Sequence, residues 1–377
     1  MFDLILLLIF PLIWPFISKI IWPRDITWGE IGAQTAIVAL LVSGTYMVGR
    51  YSQTRDYELL DGAITAKHKV DGTYLQPYSC NCYNVCTGFG RHRSCTQECS
   101  TCYARHYTVH WYLSSTIGSI NVKSLDWTSS AVYGVPSPTL YTQAYIGQPC
   151  SREHEFTNYI KAVPDSLFGA LAQAKGNNSY PIPKYPHVYD LYHVIRVLNV
   201  GSSVNSLTLT QLNKQLNKAD ETLGPKKQAN IIVILTNITS SMYHYAVQTA
   251  WLGGKKNDVV VFIGTRDGGK TISWVSVMTW ALNKGNGVFS ATLHDDIMKL
   301  GTVDPAKLTS VISKDVMALY TRPKMASFAY LKHEIEPPTW VFILALLLGI
   351  FGSCGCTFFW WKVVHGNEGF HNFRGFN

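Results

Sequence analysis

The segment Thr339–Trp361, TWVFILALLLGIFGSCGCTFFWW, carries no charged residue. A helix rises 1.5 Å per residue, so about 20 apolar residues cross a hydrocarbon core roughly 30 Å thick. Trp340, Trp360 and Trp361 stand at the edges of the segment, where amphipathic rings favour the membrane interface. Pro337-Pro338 precedes it and Lys362 comes directly after it. The pattern predicts a transmembrane helix. Two further segments lie near the N-terminus. Leu4–Trp22 is apolar except for Lys19, which can snorkel from near a helix end, and it contains Pro11 and Pro15, which predict kinks. Its shorter uninterrupted run also suits a signal-peptide core or a re-entrant segment, although no basic stretch precedes it. Ile31–Val48 is interrupted only by Gln34, Thr35 and small residues. These segments explain why charged residues make up 15% of the chain, against about 25% in soluble domains. A hydrophobic content of 47% excludes general disorder.

Charge bias does not orient the spans. Lys19 and Arg24 precede the second span and Arg50 and Arg55 come after it; Lys324 and Lys332 precede the last and Lys362 and Arg374 come after it. The counts are equal, and long loops escape the positive-inside rule. In the last span, Gly349/Ser353 and Gly352/Cys356 are four apart. Small residues at that spacing suit close helix contact, either with a second copy or with another span. Cys354 and Cys356 are candidates for acylation.

The densest chemical signal is CNCYNVCTGFGRHRSCTQECSTC, which places Cys80, Cys82, Cys86, Cys95, Cys99 and Cys102 together, with His92 inside the run and His106 and His110 after it. Two readings stand side by side. Thiolates at CxC and CxxC spacing can hold structural zinc in a reducing compartment. The same six can form three disulfides in an oxidising one, with 15 connectivities that spacing does not separate. Either way they staple a subdomain short of core. Arg91, His92, Arg93 and Arg105 are too few to neutralise a nucleic-acid backbone, so no nucleic-acid partner is expected.

After the cluster, Tyr107–Ser115, Ser119–Trp127 and Thr139–Ile146 read as strands of a small sheet. Residues 153–162 read as a helix ended by Pro164, and Asn177–Pro186 as a linker. Beyond it, Leu209, Leu212, Leu216, Ala219 and Leu223 recur at helical spacing until Gly224-Pro225. Ile231–Leu235 and Val259–Ile263 read as buried strands flanking a helix over 242–252. Thr271–Met278 reads as a further strand, and Leu293–Leu300 and Pro305–Tyr320 as helices. The order is α-β-α-β-β-α-α, which suits helices over a small sheet.

Gly264–Thr271 matches G-x-x-x-x-G-K-[ST], the phosphate-cradling loop that joins a strand to a helix. The next residues, ISWVSVM, have strand periodicity instead, and Arg266-Asp267-Gly268-Gly269 suits a hairpin turn. The motif is therefore read as a hairpin.

Residues 207–320 resemble the TPM domain family. The resemblance lies in the Leu-rich helix leading into IIVILTN, the helix ending Trp251-Leu-Gly253-Gly254-Lys-Lys-Asn257-Asp258, the hairpin VVVFIGTRDGGKTISWVSV, and the membrane helix C-terminal to them. Thr279-Trp280-Ala281-Leu282 stands where the family carries Gly-x-Gly. The resemblance implies an extracytoplasmic, membrane-anchored domain that supports assembly, repair or modulation of membrane complexes, with weak phosphatase activity and divalent-cation binding in some members. Asp258, Asp267, Asp295 and Asp296 are the carboxylates that suit such chemistry. A plainer reading makes Asp267 a turn residue and sets Asp295 and Asp296 at a helix N-terminus.

The sequence thus predicts an α+β membrane protein. Two transmembrane helices occupy 1–55, a Cys-rich, β-rich module 56–165, a TPM-like α/β/α sandwich 185–322, and a transmembrane helix with a short tail 323–377. The expected function is non-enzymatic: binding or assembly with other membrane proteins, and with a second copy through the last helix, by a central region outside the cytoplasm. The alternative is a membrane-bound phosphatase using the acidic residues. No cofactor is expected beyond structural zinc, the reducing-compartment reading of the six cysteines.

Overall fold

The computed structural model describes residues 2–23, 25–88, 94–127, 136–163, 180–280 and 284–364. Gly90, Arg91, His92, Arg93, Pro164, the first residues of the 177–186 linker, Ala281-Leu282 and Arg374 lie outside them. Contacts divide the chain into two units. One comprises Met1–Tyr57, Glu155–Asn177 and Lys324–Asn377, and the other Glu58–His154 and Asn178–Pro323.

The first unit holds three helices long and apolar enough to cross a membrane. They are α1 (Phe2–Ile21), α2 (Trp28–Ser52) and α8 (Thr339–Phe358). Pro11 and Pro15 lie within α1. A capping box of Thr27 and Glu30 starts α2 ahead of its apolar run. Leu7, Val38, Val42, Tyr46 and Ala345 form the shared core of the three. Gln34 donates from Nε2 to the Ser353 carbonyl at 2.8 Å and to Thr357 Oγ1 at 3.0 Å. The small-residue spacing in α8 is used within the chain: Gly349 faces Pro11 and Val42, and Gly352 faces Val38.

Two four-stranded sheets lie largely in the second unit. The first has the order β3-β2-β1-β4, with β1 Arg55–Thr87, β2 Ser94–Ser115, β3 Gly118–Trp127 and β4 Pro149–Thr157. Two sequence expectations are overturned in this sheet. Residues 153–162 are not a helix: Pro149–Thr157 is the strand β4, because the open edge of β1 offers backbone partners to a stretch that has no helical apolar stripe. Thr139–Ile146 is not a strand: Thr139–Gln143 forms a short helix, α3, behind Pro138. Ile64, Leu113, Ile120, Cys150 and Tyr192 form a core at the base of this sheet. Burial pushes the Cys150 thiol up to about 12, so it behaves as a packed apolar group.

The small hairpin β5 (Val188–Tyr189) and β6 (His193–Val194) precedes the second sheet. That sheet has the order β10-β9-β8-β7. Strands β7 (Val197–Val200), β8 (Asn230–Thr236) and β9 (Asp258–Arg266) are parallel, and β10 (Thr271–Met278) returns antiparallel to β9. Strand β7 has no counterpart in the sequence reading. Both faces of β8 and β9 are covered, which is why they read as unbroken apolar runs. Ile231, Val233, Leu235, Val259, Val261 and Ile263 face α4 (Ser206–Lys227), α6 (Lys284–Leu300) and α7 (Pro305–Leu319). Ile232, Ile234, Val260 and Phe262 face α5 (Tyr243–Ala250) and the extended segment bearing Tyr180 and Tyr185. Helix α4 runs through Gly224-Pro225 and ends at Gln228, whose φ of 53° closes it in the left-handed region. A proline in the last turn removes one N–H without ending the helix.

Candidate functional site

Among the described residues, the far end of the β1–β2 hairpin is exposed along most of its length. Strand β3, among the described residues, accompanies β2 as far as Tyr107, which pairs with Trp127. Beyond that pair, Tyr74–Thr87 runs against Ser94–His106 as a ribbon of two strands, about 45 Å long at roughly 3.3 Å per residue. A two-stranded ribbon has no covered face, and hairpins alone are marginal in water. Three nested disulfides take the place of a core: Cys80–Cys102, Cys82–Cys99 and Cys86–Cys95. A crosslink closing a loop of this size contributes about 2–4 kcal/mol by restricting the unfolded chain.

The choice among pairings is set by strand parity. Side chains alternate between faces, so Cys95 and Cys99 share one face of β2 and Cys102 points to the other. Cys80, Cys82 and Cys86 have one parity, and a regular β1 would put all three on a single face. The register shifts between Cys80 and Tyr83, so that two residues of β1 oppose Cys99 alone. Asn81 supplies the extra residue at φ 47°, a left-handed conformation that asparagine tolerates well. The bulge moves Cys82 and Cys86 onto the face of Cys99 and Cys95, and leaves Cys80 with Cys102.

Aromatic side chains line the ribbon. Tyr74, Tyr78, Tyr83 and Tyr103 are each 44–63% exposed, and Leu75 is 56% exposed. Tyr74 stacks on His106 with ring centres 4.9 Å apart, and its hydroxyl donates to Asp126 at 2.7 Å. His106 Nδ1 lies 2.9 Å from the same carboxylate, and hydrogen bonds from these two partners hold Asp126 below the usual carboxylate range. Tyr83 donates to Glu98 at 3.1 Å. His110 Nδ1 meets Ser124 Oγ at 2.9 Å. Rigid rings with polar tips on a stiff ribbon suit recognition of another surface.

The base of the ribbon is held to the α/β segment by buried charges. Arg196, 1% exposed, pairs with Asp61 and lies 3.1 Å from Asp220. It also donates to Asn230, Asn217 and Ser151 at 2.6–2.9 Å. Burial pushes the Asp220 carboxyl well above its ordinary range. That shift favours the acid form of Asp220 beside the guanidinium. Glu58, with no side-chain exposure, pairs with Arg322, with Lys256 at 3.3 Å and with His154 at 3.1 Å. Asn257 donates to the Leu59 carbonyl at 2.6 Å. Glu58, Asp61 and Arg196 are absent from the sequence reading, because nothing local marks a charge whose partner is 135 residues away.

The four candidate aspartates stand in three separate places. Asp258 opens β9 and is buried, accepting from Tyr185 at 2.9 Å, Asn230 at 2.8 Å and the Lys255 amide at 2.7 Å. Burial outweighs these donors and raises its carboxyl to about 6. Asp267 lies in the exposed turn after the opposite end of β9, at φ 53°. Asp295 and Asp296 do not open a helix: α6 starts at Lys284, so they sit in its interior. Asp295 meets His294 at 2.9 Å, and Asp296 meets Lys299 at 2.7 Å and Lys314 at 3.3 Å. These lysines hold Asp296 below the usual carboxylate range. Gly264–Thr271 spans β9, its turn and the start of β10, with Gly264 paired to Trp274; the strand–loop–helix context of a phosphate loop is not formed.

The six clustered cysteines are engaged in disulfides. Among the described residues, no group of three or more His, Cys, Asp or Glu side chains is placed to hold a metal ion. Comparison of the chain with protein-family models, with curated proteins and with solved structures finds no match.

Proposed function

We propose that this chain is a multi-pass membrane protein that presents a disulfide-stapled ribbon and a TPM-like α/β/α domain for assembly with other membrane proteins. The observation that carries the proposal is the ribbon. Crosslinks that stiffen about 45 Å of two-stranded chain do so without building a core, and the stiffened surface bears exposed tyrosines. Disulfides are characteristic of oxidising compartments, which supports placing the ribbon outside the cytoplasm. The three long apolar helices support the membrane anchorage. Helical cover on both faces of the β7–β10 sheet supports the sandwich reading. The test replaces Tyr74–His106 with a two-residue turn in the full chain, and places photo-crosslinking residues at Tyr78 and Tyr103 of the intact chain. Crosslinks from both positions, with loss of a larger native assembly on ribbon removal, are expected. An assembly of unchanged size after removal would overturn the proposal.

A second reading, the phosphatase, draws on Asp258, whose carboxyl titrates near 6. Phosphate release from a generic aryl phosphate that disappears in Asp258→Asn would favour it. Equal release by the Asp258→Asn variant and the native chain would remove Asp258 from consideration.

A further inference from the structure

A cavity of about 400 Å³ lies in the first unit, where α2 ends and the chain approaches α8. It is lined by Met47, Arg50, Tyr51, Thr54, Tyr159, Lys332 and Ile335. A second cavity, of about 550 Å³, shares Met47 and Tyr51 and adds Val48, Ser52 and Arg55. The two make one groove with an apolar wall. Its charged lining is cationic: Arg50, Lys332 and, at the far side, Arg55. Arg55 is shared with Glu155 at 3.3 Å. Arg50 donates to the Lys332 carbonyl, and the Lys332 ammonium lies 5.4 Å from the centre of the Tyr159 ring. These contacts organise the two cations around the cavity, and among the described residues no carboxylate forms an ion pair with either.

The depth of this groove is set by its neighbours. The apolar run of α2 closes just before Arg50. Gly49 lies against Val341 so closely that a Cβ would come within 2.3 Å of its side chain, which ties the end of α2 to the start of α8. Tyr51, Tyr330 and Trp340 are 59–65% exposed at this end. Exposed amphipathic rings at the ends of apolar helices mark the membrane–water interface. Met47 and Val48, 41% and 70% exposed, continue the apolar wall from the groove along α2.

We propose that this groove is a binding site for an anionic phospholipid. The phosphate would be met by Arg50 and Lys332, the glycerol region by Tyr51 and Tyr159, and an acyl chain would lie along Met47 and Val48. The site rests on the membrane reading of the three apolar helices. A cation near a bilayer surface attracts acidic lipid by about fivefold, so two give a preference of roughly 25-fold.

The test uses the full-length chain in mild detergent. Phosphatidylglycerol and phosphatidylcholine with identical acyl chains are titrated, and bound lipid is counted by native mass spectrometry. The native chain should retain one phosphatidylglycerol in preference to phosphatidylcholine by roughly 25-fold. Arg50→Gln and Lys332→Gln should each lower that preference about fivefold, and Arg50→Lys should keep most of it. Soluble glycerol 3-phosphate should not compete; competition at equal concentration would assign the cations to a free phosphate and overturn the lipid site. Equal retention of the two lipids by the native chain overturns the proposal without reference to any variant. Alkaline carbonate extraction separates the two failures. A native chain that leaves the membrane fraction sinks the membrane reading and this site together. One that stays, yet shows no lipid preference, sinks the site alone.

Discussion

Gly224 of α4 packs against the main chain of Asp61 in β1, so closely that a Cβ at 224 would lie 1.9 Å from the Asp61 carbonyl oxygen. The contact brings the strand that leads into the ribbon directly onto the α/β segment. It also lets the Asp61 carboxylate reach Arg196.

A glycine inside a helix ordinarily costs about 1 kcal/mol relative to alanine. At 224 the sign reverses. Gly224→Ala is expected to destabilise the chain by roughly 1–3 kcal/mol, the cost of overpacking against backbone that cannot rotate away. Urea unfolding of the purified chain followed by Trp fluorescence measures it; a variant as stable as the native chain would contradict the close approach.

The raised Asp258 carboxyl makes stability depend on pH with a definite sign. Its acid form is favoured in the fold, from an ordinary 3.8 to about 6, so the folded chain binds the proton more tightly than the unfolded chain. Stability from this group is present below about pH 4 and is lost as pH rises to about 6, in total about 3 kcal/mol. The Asp258→Asn variant should lack that slope while losing one acceptor for its three donors. Parallel unfolding curves for the native chain and the variant at pH 4 and pH 7 decide the matter. Identical pH slopes would refute the assignment.

Non-reducing peptide mapping should recover Cys80 with Cys102, Cys82 with Cys99 and Cys86 with Cys95, since the bulge at Asn81 permits that nested set. Deleting Asn81 removes the extra residue and makes Cys80 and Cys82 consecutive, which keeps Cys82 and Cys86 on the face of Cys99 and Cys95 in a regular ladder. The same nested set is then expected, and scrambled thiols at Cys95 and Cys99 would contradict the bulge. Reduction should abolish amide protection along Tyr74–Ser79 and leave Ile231–Leu235 protected in hydrogen exchange, because the ribbon lends no side chains to that core. Loss of protection in both places together would show that the ribbon and the α/β sheet unfold as one.

Among the three long apolar helices, Gln34 bridges α2 and α8 through Ser353 and Thr357. Interhelical hydrogen bonds in apolar surroundings contribute roughly 0.6–2 kcal/mol. The double-mutant cycle of Gln34→Ala and Thr357→Ala, read as thermal stability in detergent, should give a coupling energy in that range. Strict additivity would mean the two side chains do not interact.

Much of the fold was legible in contiguous sequence. Thr339–Trp361 and Ile31–Val48 announce membrane-length helices because apolarity accumulates residue by residue. Ile231–Leu235 and Val259–Ile263 read as buried strands because both of their faces are covered. The Gly264–Thr271 motif was separable from a phosphate loop by the strand periodicity after it. Strand β7 was not legible, since four residues give no period, nor was β4, whose strand form depends on the edge of β1. The candidate aspartates were recognisable as residues but not as a site: one is buried among donors, one is a turn residue, and the neighbouring pair sits inside a helix, engaged by a histidine and two lysines.

The sequence by itself determined which segments avoid water, where the cysteines gather and which strands are covered on both sides. Those properties belong to neighbouring residues. The tertiary structure decided which cysteine meets which, through a one-residue bulge that reverses side-chain parity. It also decided that Glu58, Asp61, Arg196 and Asp220 are buried. A charge leaves water at a large desolvation cost unless a partner is brought to it. Such a partner, 135 residues distant in the case of Arg196 and Asp61, is supplied by the packing of the folded chain.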